Sequence, residues 1–223
     1  LVLPENTPIG QSAREYFNLE TDVIYEIGLT PNRSDATCHL GVARDLAAAL
    51  KIQHGHSGEV ALPPVDNFKI NNHSLPVEVV VENTEACPRY AGVSIKGVSI
   101  KESPDWLKKR LLSIGVRPIS NIVDITNFIL HELGQPLHAF DLDEITGRKV
   151  IVKTLPEGSK FQSLDERERS LSAEDLMICD GNSNGMCIGG VFGGIQSGVK
   201  ETTKNIFLES AHFNAKWIRR SST

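Results

Sequence analysis

Arg117, Asn127 and His138 bring a cation, an amide and an imidazole into one stretch, Gly115 to Asp141 (GVRPISNIVDITNFILHELGQPLHAFD). Three such groups around one short helix suggest a polar site. Arg117 suits a phosphate or carboxylate, and equally a surface position. His138 follows a proline in a Gln-Pro-Leu-His-Ala-Phe-Asp turn, and a lone histidine is more often structural than catalytic. Two further features lie some seventy residues on. Gly189-Gly190-Val191-Phe192-Gly193-Gly194 is a glycine cluster at a strand end. It fits a tight β-bend, or a backbone that lets a substrate approach closely. It is neither GxGxxG nor a Walker loop. Glu209 lies in Ile-Phe-Leu-Glu-Ser-Ala, where alternation puts Phe207, Glu209 and Ala211 on one face. That spacing fits a solvent-facing carboxylate on an edge strand, or a buried acceptor waiting for a ligand's donor. A thiol nucleophile from Cys187 and His138 is a weaker option, since nothing nearby in the sequence depresses the thiol pKa. Ser197 in Gly-Ile-Gln-Ser-Gly is not a nucleophile elbow. His54-Gly55-His56 is weak as a metal-ligand pair, and no metal spacing is evident.

The elements that must position these groups follow from periodicity. Ile122, Ile125, Ile129 and Leu133 recur at helical spacing after Ser120, a plausible N-cap, and Gly134 and Pro136 end the helix. A second helix runs from Ser103-Pro104 through Trp106, Leu107 and Leu111 to Gly115. A third spans Gly41 to Lys51, with Val42, Leu46 and Ala49 on one face. Strands are expected at Asp22–Thr30, Val77–Val81, Arg89–Val98, Val150–Lys153, Leu176–Cys179, Cys187–Val191 and Ile206–Ser210. The last residues, WIRRSST, follow a strand-like segment directly. The fold class expected is α+β: a β-rich domain with a few helices over 76–223, preceded by a small α/β unit over 1–55. Residues 56–75, with Pro63-Pro64 and Asn71-Asn72, read as a linker.

The 223 residues are 40% hydrophobic and 23% charged, an ordinary globular composition with ample core. A net charge of −5 removes any global basic field, which argues against broad non-specific nucleic-acid binding but not against a pocket for one nucleic-acid end. No run approaches transmembrane length and no signal-peptide pattern opens the chain, so no membrane association and a cytoplasmic location are expected. Four cysteines without a CxxC read as reduced thiols. The start at LVLPENTPIG, without Met, and the abrupt end suggest a piece excised from a longer polypeptide.

GVRPISNIVDITNFILHELGQPLHAFD, CIGGVFGGIQSGV and NIFLESAHFN, in that order, resemble the editing region of bacterial phenylalanyl-tRNA synthetase beta subunits. LTPNRSDATCHLGVARDLAAAL resembles the second half of the first module of that subunit, whose tRNA-binding OB insertion would lie before residue 1. The resemblance implies hydrolysis of tyrosine wrongly esterified to the 3′ end of tRNA(Phe), with a positioned water and no covalent nucleophile. It puts the family's editing-site arginine at Arg117, its histidine at His138, its glycine-loop positions at Gly190 and Gly193, its glutamate at Glu209 and its asparagine at Asn127. Leu137 stands where the family usually has Met, a swap that conserves volume. His138 and Arg117 are thereby implied in catalysis, with Glu209, Gly190, Gly193 and Asn127 in substrate binding. The partners implied are the tRNA(Phe) 3′ end and an alpha subunit in an assembly of two alpha and two beta chains. ATP and Mg²⁺ are implied only for the full synthetase, whose aminoacylation site lies on the alpha subunit. No cofactor is implied for this chain.

The implied task is physically coherent. A pocket for phenylalanine rejects an added hydroxyl poorly, whereas a second site can demand it. With Glu209 as the phenol acceptor, bound phenylalanine would leave a buried carboxylate unpaired, a penalty of roughly 1–3 kcal/mol or more. The alternative is a non-catalytic RNA- or protein-binding module.

Overall fold

The computed structural model describes residues 2–17 and 22–222. Its first part is helical: a single turn α1 (Ala13–Tyr16) and the long helix α2 (His39–His54), which Gly55 ends in the left-handed conformation. Gly41 packs so closely on the Asp35–Ala36 backbone that a Cβ there would strike the Asp35 carbonyl oxygen. Residues 22–30 are not a strand. Alternation alone makes no ladder, and no described strand pairs with this segment, so Val23, Ile24 and Tyr25 are left exposed. No helix or strand lies between Gly55 and β1 (Glu78–Val81).

From β1 the elements run β2 (Arg89–Lys96), α3 (Asp105–Ser113), α4 (Asn121–Leu133), β3 (Leu137–Asp141) and β4 (Lys149–Thr154). The short hairpin β5 (Lys160–Gln162) and β6 (Glu168–Ser170) follows. Then come β7 (Leu176–Cys179), β8 (Gly185–Ile188), β9 (Phe192–Gly193), β10 (Asn205–His212) and α5 (Ala215–Ser221). The fold is α+β. One sheet has the order β1-β4-β7-β8-β9, parallel at β1–β4 and antiparallel elsewhere. A second, three-stranded and antiparallel, has the order β2-β10-β3.

The main core lies between these sheets. Phe140 and Phe207 from the three-stranded sheet pack with Val150, Val152, Leu176, Ile178, Met186 and Cys187 from the five-stranded one. The five-stranded sheet is covered on its other face as well, where Ile151, Met177, Cys179 and Ile188 pack with Phe161 and Leu171, and the alternation of β10 puts Phe207 on the side facing the main core.

Helix α4 keeps the expected ends: Ser120 at the N-cap, and Gly134 at φ 79° donating its N–H to Leu130 O. Its packing differs from the expected apolar stripe. Ile125 is exposed, and the fully buried residue of the helix is Asp124. The Asp124 carboxylate accepts the Ser103 hydroxyl at 2.5 Å and the Ile119 N–H at 2.8 Å. A buried carboxylate is tolerated here because both oxygens are occupied, and it ties α4 to the loop that carries Arg117. The segment after Phe213 forms helix α5. Asn214 caps it by accepting the Lys216 N–H, a signal obscured in sequence by the preceding strand. Among the described residues no helix is long and apolar enough to cross a membrane.

Candidate active site

Glu209 occupies the middle of β10, the central strand of its sheet, with β2 on one side and β3 on the other. It is 5% exposed, which removes the edge-strand reading. In register it stands opposite His138 on β3 and Gly92 on β2. Directly paired residues share a face, so Glu209, His138, Phe207, Phe140 and Tyr90 all line the side that meets the five-stranded sheet. His138 is therefore on a strand rather than in a turn. Once Pro136 has ended the helical region, Leu137–Asp141 finds a full ladder on β10.

The Glu209 carboxylate accepts the Tyr90 hydroxyl at 2.5 Å. Among the described residues no cation pairs with it. Burial pushes its pKa up to about 7, against the pull of the Tyr90 hydrogen bond toward the ionised form. The Tyr90 hydroxyl itself is driven far above its usual range by burial and by the Glu209 charge. Glu209 is thus not the wholly waiting acceptor expected from sequence, because one oxygen is already spent on Tyr90.

His138 touches the Phe140 ring edge-on, with ring centroids 4.4 Å apart. Its Nε2 is buried and has no hydrogen-bond partner. Burial lowers its pKa to about 4, so the imidazole is neutral near pH 7. An orphaned buried ring nitrogen is costly and uncommon. It suits a group meant to meet a ligand or water.

The glycine cluster divides. Gly193 backs directly onto His138: a Cβ there would lie 2.9 Å from His138 Cε1 and 2.8 Å from Leu164 Cδ1. Gly190, exposed and at φ 69°, makes the bend between β8 and β9, and a Cβ there would crowd Ile218 and Phe213. For Gly190 the tight-bend reading describes the local structure. Gly193→Ala should displace the imidazole and leave the sheets intact. The expected result is a shift of the His138 ring resonances in an NMR titration, with the urea midpoint falling by no more than about 1–3 kcal/mol equivalent. Unmoved His138 resonances would contradict the close approach.

Arg117 is exposed in the loop between α3 and α4, and Asn127 is half-buried in the middle of α4. Among the described residues no hydrogen bond or ion pair joins either to His138 or Glu209. The structure therefore brings together His138, Gly193 and Glu209, and leaves Arg117, Asn127 and Gly190 outside that contact set. Cys187 is buried, donates its thiol to the Ile188 carbonyl at 3.3 Å, and has its pKa raised well above the ordinary value by burial and by the Glu209 charge. Such a thiol is poorly suited to nucleophilic attack. A separate polar concavity of about 400 Å³, lined by Glu82, Asn83, Thr84, Glu85, Lys153 and Thr154, contains none of these residues.

Sequence reasoning missed Tyr90, Gly92 and the reach of Phe207. A Cβ at Gly92 would collide with the Phe207 ring, so a glycine in mid-strand marks the place where that ring lies over β2 beside Glu209. The glycine within alternating Arg-Tyr-Ala-Gly-Val was the available signal.

A buried acid and an unpartnered imidazole facing each other across a sheet define a small polar site in an otherwise apolar sheet interface. Residues 86–223 match the family described as the B3/4 domain, and the chain belongs to that family. Its whole length is similar to the phenylalanine–tRNA ligase beta subunits of Bacteroides thetaiotaomicron (55% identical over 222 residues), Porphyromonas gingivalis (54%) and Geobacter metallireducens (43%). The chain spans 27% of the length of these relatives. Among solved structures, an N-terminal fragment of the phenylalanyl-tRNA synthetase beta subunit from Pyrococcus horikoshii is similar at 20% identity and a TM-score of 0.48. The similarity covers 84% of this chain and 55% of that one.

Proposed function

We propose that this region hydrolyses the ester of tyrosine mischarged onto tRNA(Phe), as part of a phenylalanine–tRNA ligase beta subunit. The observation that carries the reading is the buried pairing of Glu209 with His138, whose Nε2 lacks a partner. Glu209 offers an acceptor that a tyrosine phenol can satisfy and a phenylalanine ring cannot. His138, neutral at physiological pH, positions a water through its free nitrogen. Water attacks the ester carbonyl and the bond to the ribose oxygen breaks. Tyrosine leaves as the free acid and the tRNA regains its hydroxyl. An aminoacyl ester is already activated, so a positioned water suffices without a covalent intermediate.

In this reading Arg117, on its exposed loop, meets the terminal nucleotide. Asn127, Gly190 and Gly193 contribute to substrate binding. Residues 76–223 form the hydrolytic domain, 56–75 link it to the incomplete module of 1–55, and the working enzyme is cytoplasmic and contains an alpha subunit. The test is deacylation of tyrosyl-tRNA(Phe) by the full enzyme; failure to release tyrosine faster than the spontaneous rate sinks the proposal. Cys187→Ala is expected to keep its deacylation rate within about twofold, as a small packing change at a thiol that takes no part in the reaction would. Loss of hydrolysis in that variant would reinstate a thiol mechanism.

A further inference from the structure

Tyr90 and Glu209 form an unusual pair. Glu209 is buried mid-sheet, and the groups facing it are Tyr90 from β2, His138 from β3, Cys187 from β8 and Cys87 from the segment after β1. None is a cation at neutral pH. Carboxylates in such places are ordinarily matched by Lys or Arg. Here the matching group is one neutral hydroxyl, 2.5 Å from Oε2. Among the described residues Oε1 takes no hydrogen bond. Neither is it a buried atom lacking a partner, a condition found at His138 Nε2.

From this geometry, and resting on the function proposed above, we infer that Tyr90 is a specificity-positioning residue. Its hydroxyl commits Oε2 to the protein and holds the carboxylate so that Oε1 is the oxygen presented to the phenol of the substrate. Three observations support the role. The Tyr90 ring packs against the core between the sheets, so the hydroxyl is a fixed donor rather than a mobile one. Tyr90 is diagonal to Glu209 on the neighbouring strand, with Ala211 its direct partner, so the bond crosses the sheet at a set angle. Gly92, opposite Glu209, contributes no side chain, and Phe207 fills that space instead. The carboxylate is thereby confined between a ring and a single donor. A donor hydrogen-bonded to the charged form also favours ionisation. Tyr90 therefore helps decide both where the acceptor points and over which pH range it is an acceptor. A protonated acid would keep only part of that acceptor capacity.

The experiment compares the full enzyme with its Tyr90→Phe variant, which removes one oxygen and keeps the ring. Hydrolysis of tyrosyl-tRNA(Phe) and phenylalanyl-tRNA(Phe) is followed from pH 6 to 9 after subtracting the spontaneous rate. The expected result is a loss of about tenfold in kcat/KM for the tyrosyl ester near pH 7, the worth of one hydrogen bond to a charged group. Partial recovery is expected at higher pH, so that the midpoint of the profile moves up, while slow hydrolysis of the phenylalanyl ester is little altered. A variant profile that coincides with that of the parent enzyme overturns the inference. So does an equal loss for both esters at every pH, which would assign Tyr90 to packing alone. If the parent enzyme itself releases no tyrosine, the proposed function falls and takes this inference with it. An active parent with an unmoved Tyr90→Phe profile removes only the inference.

Discussion

Glu209→Ala in the full enzyme is expected to lower tyrosyl-tRNA(Phe) hydrolysis by about ten- to a hundredfold in kcat/KM. Hydrolysis of the phenylalanyl ester should change far less. The expectation rests on an asymmetry of unmade bonds. With Glu209 present, a bound phenol replaces solvent at a buried carboxylate and makes a charge-assisted hydrogen bond, worth about 1.5–3 kcal/mol. A bound phenylalanine ring desolvates the same carboxylate and returns nothing. Alanine removes both the reward and the penalty, so the two esters become similar to the site. The ratio of the two rates is the informative quantity, because truncation also leaves the Tyr90 hydroxyl without its acceptor and lowers stability for both substrates alike. Glu209→Gln keeps the volume and should lose most of the same discrimination. Clearance of tyrosine that persists unchanged in Glu209→Ala would end the discriminator role, whatever the family.

The second large effect is on stability against pH, and it comes from two groups shifted in opposite senses. His138 is lowered from 6.5 to about 4 in the fold. The unfolded chain takes up that proton more readily, so the contribution of His138 to stability is complete above pH 6.5 and is lost as pH falls from there toward 4. Glu209 is raised from 4.5 to about 7. The folded chain holds that proton more tightly, so its contribution is greatest below pH 4.5 and is lost as pH rises toward 7. Each shift corresponds to about 3 kcal/mol. Between pH 4.5 and 6.5 the two slopes oppose each other and largely cancel in the native chain. Glu209→Gln removes one slope, and the urea midpoint of that variant should rise with pH from 4 to 6.5 more steeply than that of the parent. His138→Gln should show the reverse, a midpoint that falls from pH 4.5 to 7. The other carboxylates contribute equally to all three chains, so the differences isolate this pair. Parallel profiles for parent and Glu209→Gln would mean that Glu209 ionises normally and is not buried as described.

Much of the local structure was legible in the residues. The extent of α4, its glycine stop and the strand at Leu176–Cys179 follow from periodicity and backbone chemistry, which act within a few residues. The same local logic misjudged Asp22–Thr30, whose alternation needs a partner strand, and His138, whose proline suggested a turn. It also passed over α5, because the cap at Asn214 directly follows a long strand. The helical stripe of α4 was sound as spacing, yet the residue it buries most completely is Asp124. Two hydrogen bonds from Ser103 and Ile119 made that burial tolerable, and both come from outside the helix.

For the site itself, the sequence alone supplied the chemical types: an imidazole, a carboxylate, glycines that admit close approach, and an alternation placing Phe207 and Glu209 together. It left open whether Glu209 faced solvent or the core, since spacing within one strand does not say which strands flank it. Only the tertiary structure decided that β10 is central, that His138 stands opposite Glu209, and that Tyr90 reaches across from β2. It likewise separated Gly193, against His138, from Gly190, which lies at the bend between β8 and β9. The physical reason is that a side chain's type is set residue by residue, whereas burial, register and hydrogen-bond partners depend on pairings between distant segments, such as Tyr90 with Glu209, 119 residues apart. The burial that comes with those pairings also moves the pKa values of His138 and Glu209 away from their ordinary ranges.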